Sequence, residues 1–153
     1  MKLLLIDGTN VILRYGFAIL KDLQAEHSEE AICGVLQGAE RGLRECASFT
    51  GSSHAVAVFD SDCGGSWRRE LFPQYKSGRA RIEFPWSARF AERLTAGGWK
   101  CIAQEGAEAD DILATLAGRA VDKGIRVSIL SQDSDLLALM SEPCHIFQFG
   151  GHG

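Results

Sequence analysis

No run of apolar residues in this 153-residue chain approaches the roughly 20 needed to span a bilayer as a helix. The opening Met1-Lys2-Leu3-Leu4-Leu5-Ile6-Asp7 meets an acid too soon to hold the apolar core of a secretory leader, so the expected location is the cytoplasm. The five cysteines (Cys33, Cys46, Cys63, Cys101, Cys144) are odd in number and never spaced as Cys-x-x-Cys. Reduced thiols are expected, and neither a disulfide framework nor a zinc site fits. The four histidines are scattered. A metal bound here must therefore have oxygen ligands, which points to Mg²⁺ or Mn²⁺ rather than zinc or copper. Within residues 1–153 no internal repeat is found and no separate second domain is expected. The length suits one domain with a substantial core.

Charge is present but uneven. The net charge is −4, yet residues 68–93 hold seven basic side chains (Arg68, Arg69, Lys76, Arg79, Arg81, Arg89, Arg93) against three acids. That segment is +4, which leaves the remainder at −8. A basic strip beside an acidic pocket suits a polyanion drawn toward bound metal. The same pattern also fits an ordinary solvated helix and loop.

The hydropathy pattern alternates strand and helix. Strands are expected near 3–7, 54–60, 99–103, 126–130 and 144–149, and helices near 10–22, from Ser28, 86–96, 108–123 and 133–140. The second helix carries Ala31, Ile32, Val35, Leu36, Ala39 and Leu43 at helical spacing. Helix 108–123 carries Ala109, Ile112, Leu113, Leu116, Ala117, Ala120 and Val121 as one stripe, with Gly124 to end it. Residues 61–85 lose periodicity and read as one long irregular stretch. Alternating strands and helices predict an α/β fold: a three-layer α/β/α sandwich around a mainly parallel sheet.

Acids close nearly every strand-like run. Asp7 follows the first, Asp60 the second, Glu108, Asp110 and Asp111 the third, and Asp133 and Asp135 the fourth. In a parallel sheet the carboxyl ends of the strands share one edge, where ligands bind. Two such charges 4 Å apart repel by ~4 kcal/mol at an effective dielectric of about 20, and a divalent cation would relieve that. Each acid also has a local explanation. Asp7 suits a turn, Asp133 or Asp135 a helix N-cap, and Glu108, Asp110 and Asp111 a helix's first turn. A cap needs one carboxylate, whereas this edge gathers seven.

The irregular stretch offers a complement. Arg68 and Arg69 are suited to clamping phosphate, Lys76 and Arg79 to reaching a nucleic-acid backbone, and Tyr75 to stacking on a base. Trp67, Phe72 and Tyr75 could equally form a small core beneath the loop.

These residues resemble the 5′-nuclease (flap endonuclease) family, which includes the N-terminal 5′-3′ exonuclease domain of bacterial DNA polymerase I. The resemblance runs through Leu4-Leu5-Ile6-Asp7-Gly8-Thr9-Asn10 with Arg14, then Val58-Phe59-Asp60. It continues through Trp67-Arg68-Arg69-Glu70-Leu71-Phe72-Pro73-Gln74-Tyr75-Lys76-Ser77-Gly78-Arg79, Glu105-Gly106-Ala107-Glu108-Ala109-Asp110-Asp111 and Ser131-Gln132-Asp133-Ser134-Asp135. It implies a PIN-like fold with Asp7, Asp60, Glu108, Asp110, Asp111, Asp133 and Asp135 as metal ligands. Asp110, Asp133, Lys76 and Arg79 would be the catalytic residues. Arg14, Arg68, Arg69, Tyr75, Lys76, Arg79 and Arg81 would contact nucleic acid. The implied reaction is Mg²⁺- or Mn²⁺-dependent hydrolysis of DNA phosphodiesters near 5′ ends, flaps or nicks, leaving a 5′-phosphate.

The family's helix-hairpin-helix region, which supplies further aspartates, has no counterpart in residues 1–153. The expectation is two metal sites, the second open to being incomplete, and a weaker grip on duplex. Three alternatives stand for the missing part, namely a piece of a longer chain, a compact stand-alone nuclease, or a protein that borrows it from a partner. Gln132 and Ser134 stand where the family commonly has Gly and Lys. Two other readings compete: a PIN-type endoribonuclease, and a catalytically weak nucleic-acid-binding module.

Overall fold

The computed structural model describes residues 1–22, 26–61, 65–74 and 86–148. The elements in chain order are β1 (Lys2–Asp7), α1 (Gly8–Leu20), α2 (Glu29–Thr50), β2 (His54–Val58), α3 (Ser66–Leu71), α4 (Trp86–Ala96), β3 (Lys100–Ile102), α5 (Ala109–Asp122), β4 (Arg126–Leu130), a 3₁₀ helix (Ser134–Leu139) and β5 (Cys144–Phe147). The strands form one five-stranded sheet in the order β3-β2-β1-β4-β5, and every pairing between them is parallel. Ser141, just before β5, forms an isolated antiparallel bridge with Cys144.

Covering both faces of a parallel sheet explains why its central strand is a continuous apolar run. Leu4 and Ile6 of β1 pack with α1, α2 and α4 through Val11, Ile12, Val35, Ala39, Leu43, Phe90 and Leu94. Leu5 faces the other way, toward Leu113 and Ala117 of α5, Val127 and Ile129 of β4, and Leu136 of the 3₁₀ helix. The result is the expected three-layer sandwich. Helices cap as their sequences suggest: Ser28 Oγ accepts from the Ala31 N–H at the start of α2, and Gly124 adopts φ 70° just beyond α5, where a side chain would be strained.

Topology places the site. The chain walks outward from β1 to β3, then returns to lay β4 on β1's other side. The gap between the carboxyl ends of β1 and β4 is therefore the switch point, where open α/β sheets bind ligands.

Two local expectations are corrected. The stretch expected to be irregular contains the short helix α3, which ends on exposed Leu71 and is followed by exposed Phe72. Its six residues are too few for apolar periodicity to register. The helix expected at 133–140 is a 3₁₀ turn. It needs only to link neighbouring parallel strands, and Leu136 alone among its residues is buried.

Candidate active site

Asp7 ends β1 and begins α1. Its Oδ1 accepts from the Asn10 N–H at 2.9 Å, the bond of an N-cap, and its Oδ2 accepts from Ser131 Oγ at 2.8 Å. Only 7% of the residue is exposed. Burial, with the charges of Asp60 and Asp133 added, outweighs these two bonds and raises its pKa from 3.8 to about 6. The carboxylate is held in place by partners that do not neutralise it.

Neighbouring strand ends contribute the rest. Asp60 follows β2, donates its N–H to Thr9 Oγ1 at 3.0 Å and accepts from the Ala109 N–H at 2.7 Å. It thereby caps α5 from another strand, a duty that the side chain of the N-cap residue itself, Glu108, does not perform. Asp133 follows β4 and caps the 3₁₀ helix through the Asp135 N–H at 2.9 Å, while its own N–H donates to Ser131 Oγ at 3.1 Å. Asn10 Oδ1 accepts from the Gln132 N–H at 3.2 Å. These bonds stitch α1, β2, α5 and the post-β4 loop into one rim.

The rim encloses a cleft of about 290 Å³ lined by Asp7, Thr9, Asn10, Leu13, Asp60, Ser61, Glu108, Ala109, Asp110 and Asp133. Five of the seven acids singled out from sequence thus converge here. Donor oxygens of Glu108, Asp110 and Asp111 also lie within 4.8 Å of one another. Asp111 lies outside the cleft and lines an adjoining groove with Trp67, Gln104 and Arg119. Asp135 is exposed and does not line the cleft; its backbone supports Asp133. The local and functional explanations of the acids prove compatible, since Asp7, Asp60 and Asp133 each cap a helix and face the cleft. A crowd of carboxylates with hydroxyl and amide neighbours, and no thiol or imidazole among the described lining residues, fits a hard divalent cation.

Basic residues are arranged differently from the sequence expectation. Arg68 on α3 is bound to acids: one guanidinium nitrogen donates to Glu108 Oε2 at 2.7 Å and to Asp111 Oδ2 at 2.6 Å, and the other donates to Asp111 Oδ1. Arg89 pairs with Glu29 at 2.7 Å, and Arg93 pairs with Glu40 at 2.7 Å. Among the described residues, α4 thus turns two of the strip's arginines to acids of α2. Arg14 on α1 and Arg69 on α3 are exposed. Trp67 and Phe72 are 48% and 58% exposed, so neither is core. Tyr75, Lys76, Arg79 and Arg81 lie outside the described residues.

Sequence reasoning passed over Thr9, Asn10, Ser61 and Ser131 as site residues. Ser61 Oγ donates to the Ala107 carbonyl at 3.2 Å. Their one signal was adjacency to an acid, since each lies within three positions of Asp7, Asp60 or Asp133.

Residues 2–152 match the family described as 5′-3′ exonuclease, N-terminal resolvase-like domain. The chain belongs to that 5′-3′ exonuclease family. It is 37% identical over 153 residues to a flap endonuclease, Xni, of Edwardsiella ictaluri, covering 95% of this chain and 54% of that protein. It is 35% identical to the thermostable DNA polymerase I of Thermus thermophilus, over 99% of this chain and 18% of the polymerase. The chain thus spans between 54% and 58% of the length of the flap endonucleases it matches. Among solved structures, a zinc-bound T5 5′-exonuclease superposes with a TM-score of 0.72 at 18% identity, covering 97% of this chain and 55% of that one. The 5′-nuclease resemblance and the three-layer α/β architecture both stand. Among the described residues no helix is long and apolar enough to cross a membrane.

Proposed function

We propose that this chain is the catalytic domain of a divalent-cation-dependent 5′ nuclease that hydrolyses DNA phosphodiesters near 5′ ends or flaps. The observation that carries the reading is the convergence of Asp7, Asp60, Glu108, Asp110 and Asp133 from four strand ends on one cleft at the switch point. Its similarity to flap endonucleases along nearly the whole chain supports the same substrate class.

In this reading the five cleft acids, with Asp111 beside Glu108 and Asp110, would hold Mg²⁺ or Mn²⁺, and Asp110 and Asp133 are assigned the catalytic role. A bound cation of this kind lowers the pKa of water and stabilises charge on phosphoryl oxygens. The chain's own contributions are positional. Ser131, Asn10 and the α5 N-terminus fix the carboxylates before substrate arrives, so little reorganisation is needed during reaction. In the implied hydrolysis a water oxygen bonds to phosphorus while the P–O3′ bond breaks, the water gives up a proton and the 3′ oxygen leaves as a hydroxyl, so that a 5′-phosphate remains. Arg14, Arg69, Tyr75, Lys76, Arg79 and Arg81 are assigned to the DNA backbone and bases. A ligand role for Asp135 would need a second cation outside this cleft, the site expected from sequence to be incomplete.

The test is cleavage of a 5′-flap and a nicked duplex with Mg²⁺ or Mn²⁺, comparing wild type with Asp110→Ala. Loss of cutting in the variant supports the proposal, and equal residual activity in both removes it. Single-stranded RNA assayed in parallel and cut faster than flap DNA would favour the endoribonuclease reading.

A further inference from the structure

Arg68 occupies an unusual place for a phosphate-binding arginine. Its guanidinium is bonded to Glu108 and Asp111, two members of the three-acid group whose donor oxygens lie within 4.8 Å of one another. The side chain is 22% exposed, and Glu108 beneath it is 12% exposed. Its other face lies over the Trp67 ring, 4.6 Å from the centroid. Gly65, at φ 68°, passes so close to Glu108 that a Cβ there would stand 2.9 Å from the carboxyl carbon. Backbone on one side and guanidinium on the other therefore clasp Glu108.

We propose that Arg68 is a resident counter-cation that a divalent ion must displace from Glu108 and Asp111, so that Arg68 sets the affinity of the site. This rests on the proposed metal-dependent function. A guanidinium and a divalent cation both satisfy carboxylate charge, and they cannot use the same carboxylate oxygens together. Arg68 lowers repulsion among the acids while no ion is bound, which keeps the cluster assembled but opposes loading. Once displaced, the guanidinium remains tethered by α3 near Glu108, which lines the cleft, with a fork suited to phosphate oxygens. The same arginine would thus exchange carboxylate for substrate as the ion enters.

Trp67 supplies a reporter, because removing a cation from its ring face changes its surroundings. The experiment titrates the full chain with Mn²⁺, following free Mn²⁺ by electron paramagnetic resonance and tryptophan emission in parallel. Wild type, Arg68→Gln, Arg68→Lys and Trp67→Phe are compared, with circular dichroism to establish folding. Arg68→Gln is expected to bind Mn²⁺ more tightly by roughly tenfold, a change equivalent to about 1.4 kcal/mol. Arg68→Lys is expected to fall between it and wild type, since an ammonium lacks the fork. The emission change seen in wild type should vanish in Trp67→Phe and in Arg68→Gln.

Equal or weaker Mn²⁺ binding by Arg68→Gln would overturn the displacement while leaving the proposed function standing. Absence of Mn²⁺ binding in both would remove the two together. If Arg68→Gln does not fold without cation, Arg68→Lys decides: tighter binding than wild type supports displacement, and equal or weaker binding ends it.

Discussion

Ser131 Oγ donates to Asp7 Oδ2 at 2.8 Å across 124 residues of sequence, joining the ends of β1 and β4 over the switch point. The same oxygen accepts from the Asp133 N–H at 3.1 Å. One buried hydroxyl therefore sets the spacing of two acids from different strands. Removing that hydroxyl loses a hydrogen bond to a charged group, worth about 1.5–3 kcal/mol. Ser131→Ala is expected to lose stability of that order above pH 6, read as a lower urea midpoint with an unchanged m-value. An unaltered midpoint would show that the bond contributes nothing.

Asp7 makes stability depend on pH in a direction opposite to that of most carboxylates. Its pKa rises from 3.8 in the unfolded chain to about 6 in the native protein. Between those values the native state holds a proton that the unfolded state has released. Stability from this group is thus complete below the lower value and is lost as pH rises through the higher one, by about 3 kcal/mol. Without divalent cation, Asp7→Asn is expected to be more stable than wild type at pH 7 and nearly equal at pH 4. Mn²⁺ should stabilise wild type more at pH 7 than at pH 5, and should do little for the variant. Thermal denaturation at three pH values, with and without Mn²⁺, measures all of this. A wild type that gains stability from pH 4 to pH 7 relative to Asp7→Asn would contradict it.

The acids were legible because buried strands announce themselves as apolar runs, and a parallel sheet puts whatever follows them on one edge. Leu3-Leu4-Leu5-Ile6 before Asp7 needed no structure to be read in this way. The order of the strands was not legible, and order decides that β1 and β4 are neighbours. Nor were Arg68's partners, which lie 40 and 43 residues away at the start of α5. A charge count treats every arginine as available to a polyanion, whereas Arg89 and Arg93 are engaged by Glu29 and Glu40 of α2. Small polar residues such as Thr9 and Ser131 look like turn residues until the fold shows which carboxylates they hold.

Asp60 separates structural from chemical duty. Its side chain caps α5 through the Ala109 N–H at 2.7 Å and also lines the cleft. Asparagine retains the oxygen that accepts this bond, whereas alanine does not. Loss of a capping side chain costs about 0.5–2 kcal/mol. Asp60→Ala is therefore expected to lose both stability and cleavage, and Asp60→Asn to lose cleavage while melting close to wild type. Parallel melting curves and flap-cleavage rates check this. Full activity in Asp60→Asn would mean that the negative charge has no chemical role.

Gly65 is the backbone counterpart of Arg68 in fixing Glu108. It caps α3 at φ 68°, in the left-handed region, and accepts from the Arg68 and Arg69 N–H groups. An added Cβ would meet Glu108 Cδ at 2.9 Å, with the two carboxylate oxygens at 3.1 and 3.2 Å. Two penalties then combine in Gly65→Ala. The left-handed backbone costs about 1–2 kcal/mol for a residue with a Cβ. The carboxylate must also move, although Arg68 holds it from the other side. The expected outcome is a lower melting temperature together with weaker Mn²⁺ binding, because Glu108 can no longer take the same position. Gly65→Asn tolerates the left-handed conformation better but still carries the Cβ. It should therefore recover part of the stability and none of the Mn²⁺ affinity. If Gly65→Asn binds Mn²⁺ as wild type does, contact with Glu108 does not govern the site, and the effect of the alanine is conformational alone.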